Sequence, residues 1–278
     1  MTSALPPSLA VHRVHAALAG PPSAPALLFG HSLLLDGRMW EAQVAALAAD
    51  HFCINVDFQG HGRARRPAAG FSMRDQAEDY RRVLDALGVR QAIVVGLSMG
   101  GMAGMHLALE HPERVRGLAL FNTNADAQPL PSRARITLLA AAARALGLVP
   151  FLRRQALAEL FSPAFRAAHP EVVRAWDERV AALDRTSALR AIDMVIKRPS
   201  IVHRLSAIRV PTMVVGGRDD GATPPGYGRR IAQRIAGAEW HLLPCGHVSA
   251  VEEPERVTAL IRAFAARVAG VTPAAGAR

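Results

Sequence analysis

The chain has 278 residues, 50% of them hydrophobic and only 5% aromatic, which suits one sizeable core filled by Ala, Leu and Val and excludes a disordered or fibrous protein. Its formal charge is +10, yet the arginines are scattered singly among alanines and Lys197 is the only lysine. Without a block of like charges or a nucleic-acid-binding motif, the excess reads as a compositional habit, and neither nucleic acid nor a membrane is expected as partner.

The N-terminus lacks the basic and apolar regions of a secretory signal, so a cytoplasmic protein is expected. Short apolar runs then alternate with helix-period segments, the pattern of parallel βα units. Ala26–Phe29 and Phe52–Val56 read as strands, with Cys53 behaving as a small buried hydrophobe; Cys53 and Cys245 are too few for a disulfide framework. Ser72 followed by Asp75 predicts a capped helix start, with Ala77, Tyr80, Leu84 and Leu87 on one face and Gly88 at the end. Ala92–Val95 is a strand, Met102–Glu110 a helix stopped by His111-Pro112, and Leu118–Phe121 a further strand.

The rhythm changes from about Ala125 to Leu205, where the pattern is helical and punctuated by prolines. Residues 125–205 are therefore expected to form a helical cap inserted into a core made of 1–124 and 206–278. The apolar stretch Ile136–Leu152 is too short for a membrane span and is interrupted by Arg144. The segment carries 13 Arg and Lys against 7 Asp and Glu, and these arginines, Arg198 included, are expected on the solvated outer face. That reading predicts a pocket for neutral substrates, with no strong demand for a carboxylate. Strands return at Pro211–Gly217 and Trp240–Leu243. A last helix starts near Pro254 with Val257, Leu260, Ile261 and Phe264 inward, and a frayed tail is expected after Gly270.

The sharpest chemical feature is Gly96-Leu97-Ser98-Met99-Gly100, a G-x-S-x-G between strand and helix. Bulky side chains at Gly96 and Gly100 would clash at such a bend, which lifts the Ser98 hydroxyl into the open. A serine nucleophile needs a base and an orienting acid. His247, in Pro244-Cys-Gly-His247, and the aspartate pair in Gly217-Arg-Asp-Asp220 both follow a strand's C-terminal end, on the same edge as Ser98. Oxyanion donors are expected from the backbone N–H of Met99 and, from the Gly30-His-Ser-Leu33 loop, that of Leu33. His61 reads as a turn histidine in Gly60-His-Gly62. No pair of histidines has metal-ligand spacing with a third ligand, so neither a metal nor another cofactor is expected.

At these residues the chain resembles the α/β-hydrolase superfamily and, within it, the 3-oxoadipate enol-lactonase-like group. The matching pieces are Ser32-Leu33, Arg38-Met-Trp40, Asp57-Phe-Gln-Gly-His-Gly62, Gly96-Leu-Ser-Met-Gly-Gly101, Asn122-Thr123, Phe161-Ser-Pro-Ala-Phe165, Asp220-Gly-Ala-Thr-Pro-Pro225 and Gly246-His-Val-Ser-Ala-Val-Glu252. The resemblance implies an α/β-hydrolase fold, with a mostly parallel sheet flanked by helices and a helical cap. It also selects Asp220 over Asp219, three places before Thr-Pro-Pro, and agrees on Leu33. Three features depart from the group: His31 precedes Ser32-Leu33, Leu34 stands where it has glycine, and Met194–Ser200 does not follow its late-cap pattern. The expected function is hydrolysis of a small carboxylic ester or lactone through an acyl-enzyme on a Ser98–His247–Asp220 triad. Carbon–carbon bond hydrolysis of a β-diketone-like substrate and non-catalytic ligand binding are the alternatives.

Overall fold

The computed structural model describes residues 7–270; the tail after Gly270 lies outside them. Among the described residues a single sheet has the order β1-β2-β4-β3-β5-β6-β7-β8. Its strands are β1 (Ser8–Val11), β2 (Val14–Ala19), β3 (Ala26–Gly30), β4 (Phe52–Asp57), β5 (Ala92–Leu97), β6 (Val115–Phe121), β7 (Thr212–Gly217) and β8 (Glu239–Leu243). Only the β1–β2 and β2–β4 pairs are antiparallel, and every pairing from β4 to β8 is parallel.

The helices are α1 (Glu41–Leu47), α2 (Met73–Ala86), α3 (Met99–Glu110), α4 (Leu130–Leu146), α5 (Pro150–Leu160), α6 (Pro163–Ala168), α7 (Pro170–Ala181), α8 (Arg185–Lys197), α9 (Pro225–Arg234), α10 (Ser249–Glu252) and α11 (Pro254–Gly270). None of them is long and apolar enough to cross a membrane.

Alternation along the strands divides the core between the two faces of the sheet. Leu28, Val94, Leu118, Leu120 and Val214 join Tyr80 and Val83 of α2, Met102 and Ala103 of α3, and Ile231 of α9. Their neighbours Leu27, Phe29, Ile93, Val95, Ala119, Phe121, Met213 and Val215 join Leu47 of α1 and Val257, Ile261 and Phe264 of α11. Strands buried on both faces read as continuous apolar runs, which is why the sequence revealed them. Full burial of a side chain such as Phe29 stabilises the fold by roughly 1.5–3 kcal/mol.

Helix α2 opens with the expected reciprocal cap, Ser72 accepting from the Asp75 amide while the Asp75 carboxylate accepts from Ser72 N–H. Helix α3 starts three residues before the expected Met102. Gly100 and Gly101 are poor helix formers, but their close approach to Gly30 of β3 and to Thr123 just past β6 leaves no room for a side chain in the first turn. The periodicity missed β1, β2, α1, α9 and α10. The β1–β2 hairpin turns through His12 at φ 53° without an Asn-Gly or Asp-Gly signal, and its strands are alanine-rich. Helix α9 contains Gly228, where a Cβ would come within 2.5 Å of Trp240, so tight packing put a helix-weakening residue in a helix. Helix α10 is a single short turn beyond the His247 loop.

Between β6 and β7 the chain runs through α4–α8. Ala140, Ala143 and Leu189 form a small apolar cluster of this segment, while Leu157, Leu160, Phe161 and Trp176 join the α11-side core and Met194 the opposite one.

Candidate active site

Strand order sets the site. The chain leaves β3 for β4 on one side and returns to β5 on the other, opening a crevice at the carboxyl ends of β3 and β5. Ser98 follows β5, the Ser32–Leu35 turn follows β3, Asp220 follows β7 and His247 follows β8. The structure thus brings all five expected site residues, Leu33, Ser98, Met99, Asp220 and His247, to one edge.

Ser98 has φ 52° and ψ −112°, a conformation costly for a residue with a Cβ and one that concentrates at functional sites. Its amide donates to Phe121 O at 2.9 Å, and its carbonyl accepts from Thr123 Oγ1 at 2.7 Å. The flanking glycines are obligatory. A Cβ on Gly96 would lie 2.5 Å from the Gly100 backbone, and one on Gly100 would lie 2.2 Å from Gly30 O. The second clash falls against β3, so Gly100 lets the elbow approach the oxyanion loop closely. Gly100 N–H donates to His31 O at 3.0 Å across that seam. Among the described residues the amides of Met99 and Leu33 donate to no protein acceptor.

His247 Nδ1 lies 3.0 Å from both Asp220 oxygens, and both residues are buried. Asp220 also accepts from the amides of Ala222 and Thr223, from Thr223 Oγ1 at 2.8 Å and from Asn122 Nδ2 at 2.9 Å. Burial pushes its carboxyl upward, but the charge and hydrogen bond of His247 and the Thr223 and Asn122 donors outweigh it, so its pKa lies below the ordinary carboxylate value. Asp219 is exposed and meets the loop only through its amide, donated to Cys245 O. His247 Nε2 sits 3.4 Å from Ser32 Oγ and makes no hydrogen bond to Ser98.

The supporting residues were largely invisible as such in the sequence. Asn122, at φ 44°, donates to both Asp220 and Gly246 O, tying the acid to the histidine loop. Glu252 accepts from Gly246 N–H, Ser162 N–H and Ser162 Oγ, while His247 and Val248 amides donate to Leu160 O at the end of α5. His61 is more than a turn residue. It is buried, its Nε2 accepts Leu34 N–H at 3.3 Å, and Leu34 itself stands at φ 65°. His31 Nε2 likewise accepts Phe58 N–H at 3.0 Å. Burial lowers His31 to about 4. Burial and the neighbouring His31 lower His61 to about 3. Both rings are therefore neutral acceptors at pH 7 and hold the turn that carries Leu33.

A cavity of about 240 Å³ opens over Ser98 and His247, walled by Leu33, Met102, Leu139, Leu152, Ile192 and Thr223 among others. It is smaller than the roughly 300–1,000 Å³ of sites for drug-sized ligands, so it suits a small molecule. Arg135, Arg153 and Arg198 also line it. The expectation of outward-facing, solvated arginines fails for Arg198, which is only 8% exposed. Burial was decided by packing against Gln128 and Val195, which a local pattern does not register. Among the described residues no group of three His, Cys, Asp or Glu side chains could hold a metal ion.

An elbow serine at a strand–helix turn, an Asp–His pair on the same edge and a mostly parallel sheet define an α/β hydrolase. Residues 25–254 match the family model described as the alpha/beta hydrolase fold, and the chain belongs to that family. It is 30% identical over 87% of its length to 3-oxoadipate enol-lactonase 2 of Acinetobacter baylyi, of which 89% is covered. A Variovorax paradoxus relative, provisionally named as the carbamate hydrolase RutD, is 31% identical over 92% of this chain and 97% of its own. The crystal structure of the enol-lactonase from Burkholderia xenovorans LB400 superposes with a TM-score of 0.87 at 28% identity, covering 94% of this chain and all of that one. The chain is a hydrolase enzyme resembling the 3-oxoadipate enol-lactonase group.

Proposed function

We propose that the chain hydrolyses a small carboxylic ester or lactone through an acyl-enzyme on Ser98. The observation that carries this reading is the convergence at one sheet edge of the Ser98 elbow, the buried His247–Asp220 pair and two unengaged amides, with Ser98, His247 and Leu33 lining one cavity. Ser98 Oγ attacks the carbonyl carbon while His247 Nε2, exchanging its Ser32 contact, takes the hydroxyl proton. Asp220 keeps Nδ1–H engaged and stabilises the imidazolium. Leu33 and Met99 amides receive the oxyanion, and one such donor is typically worth about 2.7–4 kcal/mol in the transition state. Collapse expels the alkoxide, which takes the proton from His247, and water then releases the acid by the same route. A lactone's alcohol remains part of the acyl chain, so a single hydroxy acid leaves in that second step. Residues 125–205 act as the cap, with 1–124 and 206–278 as the core. The enol-lactonase relatives support an ester or lactone as substrate.

The test is labelling and turnover. An organophosphate should add once to the wild type and not to Ser98→Ala, and Ser98→Ala should lower kcat on short p-nitrophenyl esters or small lactones by roughly 10⁴ or more. An adduct that persists on the variant refutes the assignment.

A further inference from the structure

Of the arginines lining the cavity, Arg135 pairs with Glu159 at 2.9 Å, and Arg153 pairs with Asp177 at 2.8 Å and donates to Leu148 O. Arg198 has no carboxylate within ion-pair distance among the described residues. The acid whose charge reaches it, Asp126, is bound to Arg230 at 2.8 Å. Arg198 caps the C-terminal end of α8. Its Nη1 donates to Gln128 Oε1 at 3.3 Å and to Val195 O, which accounts for a helix-end role. That role leaves Nη2 without a protein acceptor and Nε buried without any partner. Burial lowers the guanidinium to about 10, so it is still charged at neutral pH. An unpaired buried cation is strongly unfavourable and makes the cavity complementary to an anion.

We infer that Arg198 determines specificity by binding a carboxylate carried on the substrate, with the ester or lactone carbonyl held at Ser98. Arg198 and Ser98 wall the same small cavity, whose apolar lining, Ile192, Val195 and Leu139 among it, suits a short hydrocarbon spacer. The guanidinium's Nη2, without a protein acceptor, is the donor left to meet a carboxylate oxygen, a contact stronger than a neutral hydrogen bond. Met194–Ser200 departs from the enol-lactonase pattern in sequence, so the contact belongs to this chain's own cap. The assignment rests on the ester or lactone hydrolase reading and reverses the neutral pocket expected from sequence.

The experiment compares the mono-p-nitrophenyl ester of glutaric acid with the same compound methylated at its free carboxyl, in wild type, Arg198→Gln and Arg198→Lys. The wild type should favour the acid by roughly tenfold to a hundredfold in kcat/KM, chiefly through KM, and keep that preference at high salt. Arg198→Gln should lower kcat/KM for the acid far more than for the methylated ester, erasing the preference, and Arg198→Lys should recover part of it. Equal falls on both substrates, with a lowered Tm, would mark Arg198 as merely structural and overturn the assignment. Should Arg198→Gln not fold, the wild type decides: parity between its two substrates, or no competitive inhibition of the neutral ester by glutarate, also overturns it. Organophosphate labelling separates the two levels. Turnover at Ser98 without acid preference removes only the Arg198 assignment, whereas absence of both labelling and turnover removes the hydrolase reading and this inference with it.

Discussion

Acidification should destabilise this protein through the two histidines under its oxyanion turn. An imidazole in the unfolded chain titrates near 6.5, whereas His31 and His61 titrate at about 4 and about 3 in the folded protein. Between those values the unfolded chain binds more protons, so stability falls as pH falls. Each ring costs about 1.4 kcal/mol per pH unit below 6.5, or about 2 kcal/mol at pH 5 and about 4 kcal/mol for the pair. Against a total stability of roughly 5–15 kcal/mol, that is a large share. The rings are 5.0 Å apart. The variant His61→Asn keeps an acceptor for Leu34 N–H but no titrating ring. Urea unfolding followed by circular dichroism at pH 7 and pH 5 should give the wild type a loss of about 4 kcal/mol from these rings. The variant, less stable at pH 7, should lose about 2 kcal/mol less than the wild type over the same interval. Asp57, His15 and the other titrating groups are common to both proteins and cancel in the comparison. Equal pH dependence in the two proteins would refute the reasoning, since it would mean that His61 is not held neutral.

Two further substitutions probe the site from either side. Asp220→Asn should lower kcat by about 10³–10⁴ while exposed Asp219→Asn leaves it nearly unchanged, and steady-state kinetics with the reverse ranking would reject the assigned acid. Gly100→Ala places a Cβ 2.2 Å from Gly30 O, so the denaturation midpoint should fall by the equivalent of about 3 kcal/mol or more; a near-wild-type midpoint would mean the seam between β3 and the elbow is looser than it looks.

The sequence alone was enough for the class of fold and for the residues that the structure gathers at one edge. Near neighbours govern those features: apolar runs for doubly buried strands, a Ser–Asp capping box for α2, small residues around Ser98, and turn motifs after β7 and β8. The choice of Asp220 over Asp219 came from the resemblance to the enol-lactonase group's Asp-Gly-Ala-Thr-Pro-Pro piece, and the structure turns only Asp220 toward His247. The hairpin and α9 were hidden because alanine-rich strands and glycines in a helix contradict local propensity, and packing overrode it.

Tertiary structure alone decided which polar groups lose water. His61 reads as an ordinary turn histidine until β4, the oxyanion turn and His31 close around it and turn it into a neutral acceptor for Leu34. Asn122 acquires its role by lying between two later loops, where it joins Asp220, 98 residues on, to Gly246, 124 residues on. Arg198 is one more arginine in a basic helical segment until residues from Ser32 to His247 enclose a cavity beside it. Desolvation is a sum over everything packed around a group, and most of those terms come from distant parts of the chain, so no local pattern contains it.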